Sequence, residues 1–159
     1  MTAPQINGPR LLASLQTLGQ IGALPGGGVN RLALTDADRE GRDWTVARMR
    51  ALGMRMAVDA IGNIVGTCPG TDDLPPVMMG SHIDTVRTGG LYDGNYGVLA
   101  GLEVVATLRE AGLQTRRPLA VAVFTNEEGA RFQPDMMAAW SMWVDCRCRR
   151  RLTPATPRE

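Results

Sequence analysis

Residues 119–126 read LAVAVFTN. A nearly continuous apolar run of this length reads as a strand covered on both faces, the kind found inside a sheet with helices packed against it. Just upstream, residues 97–112 form a strong helical pattern. Val98, Leu102, Val105 and Leu108 lie on or near one face, and Gly112 stands at the end. Before that, a short apolar strand over residues 77–80 runs straight into Ser81 and His82, and residues 84–93 make a turn-rich connection. Strand, loop, helix, strand, loop predicts an α/β fold, with helices packed on a largely parallel or mixed sheet.

Toward the N-terminus, GPRLLASLQTL (8–18) places Leu11, Leu12, Leu15 and Leu18 at helical spacing. PGGGVNRLALT (25–35) reads as a loop whose three glycines break any regular element. A second helix begins at Thr35, where T-D-A-D offers a capping hydroxyl and an acid three residues on. It runs through Trp44, Ala47, Arg48 and Leu52, with Gly53 as its stop. MRMAVDAIGNIVGTCPG (54–70) reads as two short strands joined near residues 59–62, with Val58, Ile61, Ile64 and Val65 apolar.

The 159 residues suffice for one domain with its own core, and 44% hydrophobic with 21% charged residues fits a globular chain. A net charge of +1 gives no field to steer nucleic acid or an anionic membrane. No apolar run approaches the roughly 18 residues of a spanning helix. The first residues lack the charged-then-apolar order of a signal peptide, so a cytoplasmic location is expected. Cys68, Cys146 and Cys148 form no disulfide framework and read as free thiols. All 17 basic residues are Arg, a bias that suggests a GC-rich coding sequence.

Three stretches put polar residues at strand ends, where open α/β sheets place ligand sites. In the first, His82, the only histidine, precedes Asp84 by two residues, so an extended backbone points both the same way. A metal-bound His commonly gives its other ring N–H to a carboxylate, a part Asp84 would fill. A solitary His is also often structural. In GGLYDGNYG (89–97), glycines bring Asp93 to the mouth of the next helix, either as its cap or as a metal ligand. In TNEEG (125–129), Glu127 and Glu128 are either solvated loop acids or a pair that divides ligation and proton transfer.

Taken together, GSHIDTV (80–86), GGLYDGNYGVLAGLE (89–103) and FTNEEGARF (124–132) resemble the dinuclear zinc amidohydrolases, the clan that includes carboxypeptidase G and aminoacylase. Within it the motifs are most similar to the branch of N-carbamoyl-L-amino-acid hydrolases, β-ureidopropionases and allantoate amidohydrolases. IGALPGGGVNRLALTD (21–36) resembles that branch too, and the likeness covers roughly residues 8–137.

The resemblance implies a role at each matching position. His82 would bind one zinc, Asp93 would bridge two, and Glu128 would bind the second; Mn or Co are other divalent ions for such a site. Glu127 would be the general base and acid, and Asp84 would support His82. The implied reaction is hydrolysis of a carbamoyl or ureido C–N bond in a small amino-acid derivative, with no nucleic acid or membrane partner. A dinuclear zinc peptidase or deacylase of the same clan is the rival activity, and a non-catalytic fragment the rival of another kind.

Members of this family are longer. They carry two further metal-binding histidines and an inserted dimerisation domain, so the resemblance implies a homodimer for full-length relatives and an N-terminal, inactive piece of the catalytic domain here. Residues 1–137 would form that piece. Residues 138–159 depart from the family pattern, and a frameshift near Met137 is the expected origin of this tail. Its Trp and Arg residues raise the alternative of an RNA-contacting segment.

Overall fold

The computed structural model describes residues 3–136 and 138–139. The sequence readings of the tail, including its Trp and Arg residues, Cys146 and Cys148, lie outside them.

Helix α1 (Gly8–Gly19) starts where the Asn7 side chain accepts the Arg10 N–H at 3.0 Å, with Pro9 in the first turn. Its Leu11, Leu15 and Leu18 are buried at a three-to-four-residue period, whereas Leu12 is exposed. Helix α2 (Asp36–Ala51) is capped by the Thr35 hydroxyl. Asp38, three residues on, turns back to accept the Leu34 N–H at 2.8 Å, a variant of the reciprocal capping expected from T-D-A-D. Gly53, at φ +66°, ends the helix as the sequence suggested.

Strands β1 (Arg55–Val58) and β2 (Ile64–Cys68) form an antiparallel hairpin. The Asp59 carboxylate accepts the N–H groups of Ile61, Gly62 and Asn63 at 2.8–3.0 Å and so builds the turn between them. Strand β3 (Val77–His82) continues two residues past the predicted Gly80, so His82 sits on its last position. Helix α3 (Asn95–Glu110) then leads to β4 (Leu119–Phe124).

The sheet order is β1-β2-β4-β3. β3 pairs with β4 in parallel, with His82 opposite Phe124, whereas β2 pairs with β4 antiparallel. The sheet is therefore mixed, and among the described residues one of its three pairings is parallel. β4 is central, which explains its unbroken apolar run: Ala120, Val121, Ala122 and Val123 are all within 1% of complete burial.

α3 packs on β3 and β4, α1 lies against α3, and α2 contacts β1. Leu15, Leu18, Met49, Ile64, Ile83, Val98, Leu102, Val105, Val121 and Val123 share one core. Beyond β4, Ala138 is buried, and its carbonyl accepts the Asn63 amide at 3.0 Å. No helix of the described residues is long and apolar enough to cross a membrane.

Candidate metal centre

The parallel β3–β4 pair places the C-terminal ends of both strands side by side, where open sheets hold their ligands. His82 ends β3. Thr125, Asn126, Glu127 and Glu128 follow directly from β4, and Asp93 precedes α3. The three stretches singled out in the sequence thus meet at one edge of the fold.

His82 is buried, and its Nδ1 lies 2.9 Å from the Asp84 backbone carbonyl. A carbonyl can only accept, so this contact is a hydrogen bond when Nδ1 carries the ring proton, the tautomer that turns the Nε2 lone pair toward the acids. Nε2 faces the acids, at 3.2 Å from Glu127 Oε2 and 4.0 Å from Asp93 Oδ1. Ligand atoms of His82, Asp93 and Glu128 all lie within 4.8 Å of one another.

The expected His82–Asp84 partnership takes a different form. The Asp84 carboxylate is 3.8 Å from Nδ1 and instead accepts the backbone N–H groups of Glu127 and Glu128, each at 3.4 Å. Asp84 therefore fixes the ring through its own carbonyl and the Glu-Glu turn through its carboxylate. Burial pushes its carboxyl above the ordinary range, while the His82 charge and the two N–H groups pull it back. Glu128 is also raised by burial, opposed by His82 and reinforced by Asp93, Glu127 and Asp84.

Asp93 does not cap α3. Gly94 occupies the cap position and no side chain bonds there, so the 74%-exposed Asp93 carboxylate is left facing the site. Helix α3 begins two residues before the predicted Gly97, because Gly94 at φ +64° turns the chain early. Gly94 also packs on the imidazole: a Cβ there would lie 2.5 Å from His82 Cε1 and Nε2.

The donor set suits a divalent cation. Zinc takes imidazole nitrogen and carboxylate oxygen at about 2.0–2.2 Å, so two ligands of one ion stand no more than about 4.4 Å apart. The donor atoms of His82, Asp93 and Glu128 lie within 4.8 Å of one another, and the Asp93 carboxylate among them is exposed.

Two buried residues near the site gave no signal as site residues in the sequence. Arg31, inside the glycine-rich loop, donates to the carbonyls of Ile83, Leu18 and Ile21 and to the Asn95 side chain. Asn126, at φ +53°, donates to the Phe132 carbonyl at 2.7 Å, while its buried Oδ1 has no partner among the described residues. Both lie inside quoted motifs but in segments without periodicity, and neither side chain is of a metal-ligating or acid–base type.

Residues 63–138, which contain all five candidate site residues, match the model of peptidase family M28. The chain is 47% identical over 144 residues to an N-carbamoyl-L-amino-acid amidohydrolase of Rhizobium meliloti, covering 87% of this chain and 35% of that protein. It is 45% identical over 138 residues to an N-carbamoyl-L-amino acid amidohydrolase of Geobacillus stearothermophilus, at 86% and 34% coverage. The fold is similar to the crystal structure of a hydantoinase/carbamoylase family amidase from Burkholderia ambifaria. That match has a TM-score of 0.85 and 52% identity over 87% of this chain and 34% of that one. The chain thus spans about a third of the length of the relatives it matches.

Proposed function

We propose that this chain, similar to N-carbamoyl-L-amino-acid amidohydrolases over about a third of their length, has a site for metal-dependent hydrolysis of a linear carbamoyl or ureido C–N bond. The observation that carries the reading is the convergence of His82, Asp93 and Glu128 within 4.8 Å, with Glu127 beside His82 Nε2. His82 would hold one ion and Glu128 a second, with Asp93 shared between them, as a dinuclear arrangement requires. Zinc is the ion the donor set fits best, with Mn and Co as alternatives. A bound divalent ion supplies Lewis acidity at the scissile carbonyl and lowers the pKa of water.

The protein's own groups do the rest. Glu127 takes a proton from the attacking water and delivers it to the departing nitrogen. Asp84 is a positioning residue, holding His82 with its carbonyl and the Glu127–Glu128 backbone with its carboxylate. Hydrolysis of an N-carbamoyl amino acid would yield the amino acid, carbon dioxide and ammonia.

The test is zinc uptake by the purified chain against a chromophoric chelator, with ammonia release from N-carbamoyl-L-amino acids read beside it; the inactive piece expected from the sequence would show uptake without release. Uptake should vanish in His82→Ala and survive in Glu127→Gln, which removes only the proton carrier. A wild-type chain that takes up no zinc, manganese or cobalt would sink the reading. The M28 match favours one rival, a peptidase at the same residues. Cleavage of dipeptides in preference to carbamoyl amino acids would select it.

A further inference from the structure

We propose that Arg31 is a positioning residue for the metal centre: its buried guanidinium clamps the segments carrying His82 and Asp93 and so keeps the imidazole proton on Nδ1. Arg31 is 0% exposed, and among the described residues no carboxylate forms a hydrogen bond with it. Burial lowers its pKa to about 10, only partly offset by the more distant charges of Asp38 and Asp84. A buried cation without a paired anion is costly to a fold unless its donors are satisfied.

Its donors reach three separate segments of the chain. Nε donates to the Ile83 carbonyl at 2.7 Å, in the peptide between His82 and Asp84. Nη2 donates to Asn95 Oδ1 at 2.9 Å, and the Asn95 N–H in turn donates to the Asp93 carbonyl at 2.6 Å. Nη1 donates to the carbonyls of Leu18 and Ile21 at the end of α1, where a cation suits the helix dipole. The Arg31 backbone adds a further tie, donating to Thr85 Oγ1 at 2.8 Å and accepting from the Thr85 N–H at 2.9 Å.

The consequence for the site is direct. The Nδ1–H of His82 donates to the Asp84 carbonyl, and the orientation of that stretch is set by what holds residues 83–85. Those residues are not in a strand, so no sheet ladder fixes them. Arg31 does, through a planar fork that reaches acceptors in several directions at once; a lysine ammonium presents three donors from one atom and cannot span them.

The inference rests on the metal reading for its purpose but not for its test. His82 is the only histidine, so long-range ¹H–¹⁵N spectra of the metal-free chain show one imidazole. They are recorded in alkaline buffer. Wild type should show protonated Nδ1 and unprotonated Nε2. Arg31→Lys should mix the tautomers and lower zinc affinity about tenfold or more, the scale for lost support of a metal-binding His.

Should Arg31→Lys fail to fold, Gly41→Ala serves instead. A Cβ at Gly41 would meet Arg31 Cδ at 2.9 Å and displace it, while Ala suits a helix interior better than Gly. Val105→Ala, a core truncation near the far end of α3, should lower Tm and leave the imidazole spectrum unchanged. A folded Arg31→Lys or Gly41→Ala protein with the wild-type tautomer overturns the clamp, as does a wild-type ring protonated on Nε2. A wild-type chain with protonated Nδ1 but no zinc uptake supports the clamp and defeats the metal reading alone.

Discussion

Gly94 lies against the face of the His82 imidazole, so close that a Cβ at position 94 would stand 2.5 Å from Nε2. The backbone there has φ +64°, a conformation that L residues with side chains adopt at a cost. Gly94→Ala should therefore displace the ring and destabilise the chain by about 1–3 kcal/mol, from backbone strain and overpacking together. Zinc uptake should be lost in protein that still shows native far-UV circular dichroism. Undiminished uptake in a folded Gly94→Ala chain would mean that the ring position does not matter to the site.

Asp93 offers a separation of ligand from cap. Its carboxylate is 74% exposed and caps nothing. Asp93→Asn should leave the metal-free Tm nearly unchanged, within about 0.5 kcal/mol, as for an ordinary surface change. Zinc affinity should fall by at least tenfold. A loss of about 1 kcal/mol in the metal-free chain, the usual value of a helix cap, would restore the capping reading instead.

Gly80 tests the strand pair that delivers His82. A Cβ on Gly80 would come within 2.3 Å of the Ala122 carbonyl oxygen on the neighbouring strand. Because that atom is backbone, no side-chain rotation relieves the clash. Gly80→Ala should destabilise the chain by about 3 kcal/mol and broaden the amide spectrum of β3 and β4. An equally stable Gly80→Ala protein would contradict the parallel register of β3 on β4.

Glu103 governs acid sensitivity away from the site. Its carboxylate accepts Arg10 Nε and Nη2, both at 2.8 Å, and the Asn7 N–H and Thr107 hydroxyl at 3.1 Å each. Arg10 is the main cause that holds this carboxyl below its ordinary value of 4.5. The folded pKa is depressed, so the stabilisation is complete above about 4.5 and disappears as pH falls through the lower folded value. Glu103→Gln should lose about 1.5–3 kcal/mol at neutral pH and flatten the decline of Tm below pH 4.5. A mutant and wild type with parallel Tm profiles from neutral pH into acid would sink this account.

Much of this molecule was legible in its residues. The period of Leu11, Leu15 and Leu18, the Thr35 cap and the Gly53 stop located two helices, because each signal is local and acts within a turn or two. The unbroken run in β4 identified a central strand. The antiparallel β2–β4 pairing was not legible, since no local pattern says which strand a buried run will lie beside. The motifs brought His82, Asp84, Asp93, Glu127 and Glu128 to one sheet edge, where the structure also has them. What Asp84 bonds to was read differently, because sequence alternation gives direction and not which of two oxygen-bearing groups arrives first. Arg31 and Gly94 were missed as site residues, since both act through backbone carbonyls or empty space rather than through a chemical type.

The single parallel pairing also determines how the site comes into being. β3, α3 and β4 are one uninterrupted crossover, and it brings every candidate donor: His82 from the end of its first strand, Asp93 from the head of its helix, and Glu128 just past its second strand. Metal held by these three would act as a staple across that crossover, closing the long stretch between residues 82 and 128. Its binding would then be felt as resistance of β3 and β4 to unfolding, while the β1–β2 hairpin, which contributes no donor, would open with or without it.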